Sequence, residues 1–192
     1  MPASTVARRD DAVLVIVDEQ ERLAAAMQRR DPVVAATVRL VRVAVLLGLP
    51  ILVTRQYPKG LGDLVAELAD VVTAAELGSD AVRRVDKLTF DCFREPRFSG
   101  AFAHTVRRQL VLAGMETHIC ITQTALSAVR EGFDVHIVAD ACCSRDDVHH
   151  ALALERMRAA GAAITSSESV MYELVGEAGT DEFRALLGIV KD

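Results

Sequence analysis

Apolar runs of strand length alternate along the chain with segments whose apolar residues recur every three or four positions. That is the pattern of β-α-β units built around a parallel sheet. Strands are expected near residues 12–18, 50–54, 81–87, 109–113, 134–139 and 162–165, with helices between them. The segment from Pro32 to Leu47 sets Val34, Val38, Val41 and Val45 at spacings of three and four, behind Asp31 as the expected N-cap and Pro32 in the first turn. Ser144-x-x-Asp147 and Thr165-x-x-Glu168 predict two more helix starts as capping boxes. Gly132 and Gly161 stand where helices commonly end in a left-handed residue. The irregular stretches are 55–63 and 88–100; each follows a strand and can wall a pocket.

No repeat, low-complexity tract or linker divides the 192 residues, so one domain over 1–192 with a full hydrophobic core is expected. Hydrophobic residues at 51% and charged residues at 26% exclude a mostly disordered chain. A net charge of −5 and the lack of any basic run count against nucleic acid as a partner. The longest apolar stretch, Val43 to Val53, is broken by Gly48 and Pro50 and falls short of the about 20 residues that span a bilayer, so no membrane partner is expected. The amino-terminal residues lack the pattern of a secretion signal, which makes cytoplasm the expected location. Cys92, Cys120, Cys142 and Cys143 are then expected as reduced thiols. Their spacing does not suit a structural zinc, and no metal or other cofactor is expected.

The candidate chemistry sits at the ends of the apolar runs. Asp18 ends Val13-Leu14-Val15-Ile16-Val17, Lys87 ends the run from Ala81, and Cys120 closes Gly114-Met115-Glu116-Thr117-His118-Ile119-Cys120 between a strand, Leu110 to Ala113, and a helix, Ile121 to Arg130. Three such groups can meet at the carboxyl edge of one parallel sheet. At a helix start the thiolate of Cys120 is expected to be stabilised, so that it alkylates well below pH 8.5 and faster than the other cysteines. Its bland alternative is a small buried hydrophobe. Asp18 is either a proton carrier or a helix N-cap, and Lys87 either its buried partner or a surface Lys. Arginine takes 19 of the 22 basic positions and lysine 3, which makes a Lys retained between apolar segments informative.

Around these lie pocket candidates. Gln20 either bonds near the site or faces solvent. Phe90, Phe93, Phe98 and Phe102, four of the six phenylalanines, either cover the site or pack the core. Tyr57 and Met115 border the candidate loops and count as substrate contacts. His118 is read as pocket lining and not as a papain-like partner, and His149-His150 is expected to face solvent.

At these residues the chain resembles the isochorismatase-like cysteine hydrolase superfamily over nearly its whole length. The likeness rests on Val17-Asp18-Glu19-Gln20, the Lys87 segment with Phe98-Ser99-Gly100-Ala101-Phe102, the Gly114 to Cys120 motif, and Val138-Ala139-Asp140-Ala141. Within the superfamily, Thr54 to Gly62 and Ala153 to Met157 look most like isochorismatase-domain-containing proteins of unsettled substrate. The resemblance implies a Rossmann-like three-layer α/β/α fold with a six-stranded, mainly parallel sheet. It implies a triad of Asp18, Lys87 and Cys120, a cis peptide between Met115 and Glu116, and an oxyanion hole of the Glu116 and Cys120 backbone amides. It also implies a homo-oligomer.

Departures from the family pattern narrow the activity. Arg55-Gln56-Tyr57 stands where nicotinamidases of this superfamily carry an Asp-x-His metal motif. Isochorismatases proper cleave a vinyl ether without a nucleophilic cysteine, so Cys120 points to covalent hydrolysis. The expectation is a metal-independent cysteine hydrolase for a small-molecule, amide-like C–N substrate; the alternative is a non-enzymatic binding or scaffold protein with the same fold.

Overall fold

The computed structural model describes residues 6–79 and 81–191; the first five residues, read above for a leader, lie outside them. In chain order the elements are β1 (Ala12–Val17), α1 (Glu21–Ala24), α2 (Arg30–Leu47), β2 (Ile51–Gln56), α3 (Pro58–Leu61), α4 (Ala66–Gly78), β3 (Val82–Lys87), α5 (Pro96–His104), β4 (Gln109–Met115), α6 (Thr122–Arg130), β5 (Asp134–Cys143), α7 (Asp147–Ala159), β6 (Ala163–Thr165), α8 (Ser167–Val175) and α9 (Asp181–Lys191). A 3-10 turn, Cys92–Arg94, precedes α5, and a π-helical turn, Thr117–Ile121, joins β4 to α6. The six strands form one sheet in the order β3-β2-β1-β4-β5-β6, every neighbouring pair parallel. This is the expected α/β architecture. Among the described residues no helix is long and apolar enough to cross a membrane.

β1 shows why its run has no polar break: all six residues are buried. Ala12, Leu14 and Ile16 join a core with α2, α4, α8 and α9, while Val13, Val15 and Val17 join a second core with α5, α6 and α7. A strand covered on both faces needs apolar residues at both parities.

The strand order reverses beside β1, since the chain builds outward through β2 and β3 and then returns to lay β4 on the other side. The crevice outside the carboxyl ends of β1 and β4 is where such a sheet accommodates a ligand. β2, β4 and β5 run further toward that edge than their apolar runs suggest, to Gln56, Met115 and Cys143. The extra residues of β5 form an irregularity, because Leu112 pairs with Ile137 but Gly114 already pairs with Cys142. Asp140 lies in that bulge and its carboxylate accepts from the Ser167 backbone N–H at 2.7 Å and the Ser167 hydroxyl at 2.6 Å, tying β5 to the start of α8.

The helix starts differ from expectation by one to two residues. α2 begins at Arg30, so Asp31 lies inside it and pairs with Arg30 at 2.7 Å instead of capping. Asp146 caps α7 through the Val148 N–H, and Ser166 caps α8 through the Ser169 N–H. Ser144 and Thr165 lie too far out to reach those first-turn amides; Ser144 bonds His118, and Thr165 ends β6. A competing oxygen nearer the helix takes the cap.

Candidate active site

Asp18 leaves β1 in the left-handed region, φ +56°, a conformation that Asp tolerates better than most residues. Its carboxylate is wholly buried: Oδ1 accepts from Thr54 Oγ1 at 2.7 Å, and Oδ2 accepts from Lys87 Nζ at 2.6 Å. Lys87 belongs to β3, so its side chain crosses the end of β2 to reach Asp18. The ammonium also donates to Gln56 Oε1 at 2.7 Å and to the Thr89 carbonyl at 3.3 Å. Burial works against its charge, but the Asp18 carboxylate, with the nearby Cys92 and Cys120, outweighs burial and holds the Lys87 pKa above its ordinary value.

Cys120 arrives from β4. Gly114, φ +126°, lets β4 press against the exit of β1, where a Cβ would lie 2.1 Å from the Val17 carbonyl oxygen. The Met115–Glu116 peptide is cis. The chain then turns through Thr117–Ile121, in which the Ile121 N–H donates to the Glu116 carbonyl five residues back, the π-helical spacing. The Glu116 side chain points to Arg145, its Oε2 accepting from the Arg145 N–H at 3.0 Å, so only its backbone is left to serve a substrate.

Cys120 is 5% exposed, close enough to Asp18 and Lys87 for both charges to act on its thiol. Burial pushes its pKa well above the ordinary value and the Asp18 carboxylate adds to this, while Lys87 offsets only part. The expected resting thiolate is therefore corrected: desolvation and the neighbouring carboxylate outweigh the helix start, and the sulfur keeps its proton. Cys92, not singled out from sequence, lies beside the same groups, with its thiol pushed up to about 12 by burial.

Asp18, Lys87 and Cys120 are thus brought together, and the other candidates divide. Gln20 is buried and engaged with backbone: its Nε2 donates to the Gly62 carbonyl and its Oε1 accepts from the Gln56 N–H. It holds the loop and is not a substrate contact. Tyr57 and Phe90, each about half exposed, stand on loops beside Lys87. Met115 is fully buried in the core under α2, the opposite face from the core that holds Cys120, which removes it as a contact. Phe98 is also fully buried, with Phe93 edge-on to it at 5.2 Å and stacked on Phe133 at 5.9 Å. Both pack in the core cluster that also holds Cys120. His118 bonds Ser144 Oγ at 2.9 Å and meets the His149 ring at 4.9 Å. His150 is buried against Thr117 Oγ1 at 2.9 Å, contrary to the solvent-facing expectation.

A groove of about 1000 Å³ runs between α5 and α6 and is lined by Phe93, Phe102 and Phe133, but by none of Asp18, Lys87 and Cys120. We place the chemistry at the sheet edge because the buried ionisable groups converge there.

Thr54, Gln56 and Glu19 carry the family likeness in the sequence but have no role in the site assigned from it. The first two are polar residues of equal parity at the end of β2, a signal that was available. Glu19 follows Asp18 but turns to the α2 side, where Thr37 donates to its Oε1 at 2.6 Å and its Oε2 has no hydrogen-bond partner among the described residues. Burial raises its pKa from 4.5 to about 8, against smaller opposing effects of Thr37 and Arg30. Between those two values the folded chain keeps a proton that the unfolded chain releases, so this group makes stability fall as pH rises through that window. Glu19→Gln should flatten the slope. Urea unfolding at pH 5 and pH 9 should show the wild type losing on the order of 4 kcal/mol more than the variant; equal losses would refute this.

The chain matches the Isochorismatase domain family over residues 12–169. Isochorismatase domain-containing protein 2 of Xenopus laevis is 35% identical over 181 residues, covering 94% of this chain and 84% of that protein. Among solved structures, the MAR1 ribonuclease of Caenorhabditis elegans superposes with a TM-score of 0.88 at 28% identity, over 97% of this chain and 93% of that one. The YcaC gene product of Escherichia coli, described as an octameric hydrolase of unknown specificity, gives 0.87 at 26% identity over 98% and 92%. YcaC from Pseudomonas aeruginosa, solved with hexane-2,5-diol and covalent acrylamide, gives 0.85 at 28% identity over 96% and 91%. With its domain match spanning β1 into α8 and a relative of this identity along nearly the whole sequence, the chain belongs to the isochorismatase domain family.

Proposed function

We propose that this chain is a metal-independent cysteine hydrolase acting on a C–N bond of a small amide-like molecule. The reading rests on one observation: a buried carboxylate–ammonium pair, 2.6 Å apart, whose charges act on the buried Cys120 thiol at the strand-order reversal of the sheet. Because the thiol is neutral at rest, attack and proton transfer go together. The Cys120 sulfur forms a bond to the substrate carbonyl carbon as Asp18 takes the thiol proton, and the carbonyl electron pair moves to oxygen. The Glu116 and Cys120 backbone amides are assigned to that oxyanion. As the C–N bond breaks, Asp18 gives the proton to the departing amine. Water then cleaves the thioester by the reverse route, its proton passing through Asp18 to the Cys120 sulfur. All three Lys87 hydrogens are committed, so its part is to hold the carboxylate in place and in charge balance.

The hydrolase named among the relatives and the covalent acrylamide in another support this reading. The octameric relative supports a homo-oligomer, for which exposed Leu88 and half-exposed Tyr57 and Phe90 beside the site are apolar surface to cover. The test is a screen of small amides, ureas and N-carbamoyl compounds for amine or ammonia release, with RNA included because one relative is named a ribonuclease. Activity should fall in proportion to acrylamide labelling of Cys120, measured by peptide mass spectrometry. Hydrolysis that survives full labelling would overturn the mechanism. The deep burial of Cys120 favours the second reading, a binding or scaffold protein, and that reading prevails where no compound is turned over and Cys120 labels no faster than buried Cys142.

A further inference from the structure

Gln56 stands at the end of β2, in register with Lys87 on β3. Its amide can point only one way. Oε1 accepts from Lys87 Nζ at 2.7 Å and Nε2 donates to the Leu88 carbonyl at 2.8 Å. A flipped amide would set NH2 against the ammonium and carbonyl against carbonyl. The backbone is held as well, since the Gln56 N–H donates to Gln20 Oε1 at 2.7 Å, and Gln20 in turn grips the Gly62 carbonyl at 2.8 Å. The ammonium has three hydrogens, and Asp18, Gln56 and the Thr89 carbonyl accept one each.

We propose that Gln56 is a positioning residue: its amide oxygen takes one Lys87 hydrogen and so fixes the direction of the ammonium whose charge, together with that of Asp18, acts on the Cys120 sulfur. The inference rests on the hydrolase reading for its meaning but not for its test. The ionisable groups that act on the Cys120 sulfur are Asp18 of the β1 exit, Lys87 of β3 and Cys92 of the 3-10 turn. Gln56 acts through Lys87 by directing one of these charges.

Two substitutions should move the sulfur in opposite directions. Gln56→Met keeps the bulk and removes the acceptor, which frees an N–H and the negative end of a dipole is lost, so the thiolate becomes easier to form. Gln56→Glu sets a second carboxylate on the ammonium and makes the thiolate harder to form. A shift on the order of one pH unit in thiol ionisation changes the alkylation rate about threefold, once the weaker nucleophilicity of a more acidic thiol is counted. The experiment follows acrylamide labelling of Cys120 by peptide mass spectrometry between pH 7 and pH 9, with circular dichroism melts to confirm that both variants are folded.

Labelling about threefold faster in Gln56→Met and about threefold slower in Gln56→Glu is the expected result. A purely structural role would loosen the site in both and move both rates the same way, which overturns the inference. Unchanged or faster labelling in Gln56→Glu, the closest match in shape, overturns it alone. Hydrolysis independent of Cys120 would instead sink the cysteine-nucleophile reading and leave these rates standing.

Discussion

Cys120→Ala should lose turnover of any amide found in the screen by at least about a thousandfold in kcat, while its melting temperature stays within about 4 °C of wild type. The two halves of this expectation have different causes. The sulfur supplies the bond to the substrate, and Cys92, the other thiol beside Asp18, is fully buried where Cys120 keeps some exposure. The fold survives because the Asp18 carboxylate keeps Thr54 and Lys87 when the thiol is removed. Loss of one buried sulfur atom leaves a small cavity, at a cost of about 1 kcal/mol. Steady-state kinetics and a thermal melt check both. Turnover within tenfold of wild type would remove the nucleophile, and a collapsed melt would show that the thiol is structural.

The second large effect is on stability. Gly114→Ala should cost about 4 kcal/mol or more and lower the melting temperature by roughly 10 °C or more, if the chain folds at all. The added Cβ would meet three backbone atoms of Val17, at 2.1, 2.7 and 2.8 Å, and the φ of +126° is strained for any residue with a side chain. Relief would require β4 to move off β1 where Val17 pairs with Gly114, one residue before Asp18 and on the path to Cys120. Gly100→Ala in α5 is the control, since nothing lies within 4 Å of its added Cβ and Ala is the better helix residue. Denaturant titration of both variants should separate them by several kcal/mol. Near-equal stability would mean that β4 and β1 do not meet so closely.

How far each residue could be read depended on how local its cause is. His150 is an instructive miss: with Ala153 and Met157 it forms the three-and-four spacing of a buried helix face, yet adjacency to His149 drew the reading toward solvent. Met115 shares its parity with Val111 and Ala113, all three in the core under α2, so strand alternation already placed it away from Cys120. Phe93 and Phe98 carried no such signal. An apolar loop residue can fold over a sheet edge or sink between helices, and only the packing of the 3-10 turn against α5 and α6 decides which. The caps were found as clusters of oxygens but not as single residues, because Ser144 and Asp146 compete for one helix start and His118, distant in sequence, takes Ser144.

By itself the sequence determined the alternation of strand and helix, the six apolar runs, and an acid, an ammonium and a thiol at strand ends. These follow from side-chain periodicity and turn chemistry, which act over a few residues. Only the tertiary structure decided that β1 lies between β2 and β4, that Lys87 reaches across β2 to Asp18, and that Gln56 and Thr54 complete the hydrogen bonds of that pair. It also decided where the proton rests. A thiol at a helix start reads as an anion from local dipoles alone, but its charge is governed by water removed and charges placed by segments far apart in the chain, and here those keep the Cys120 sulfur neutral.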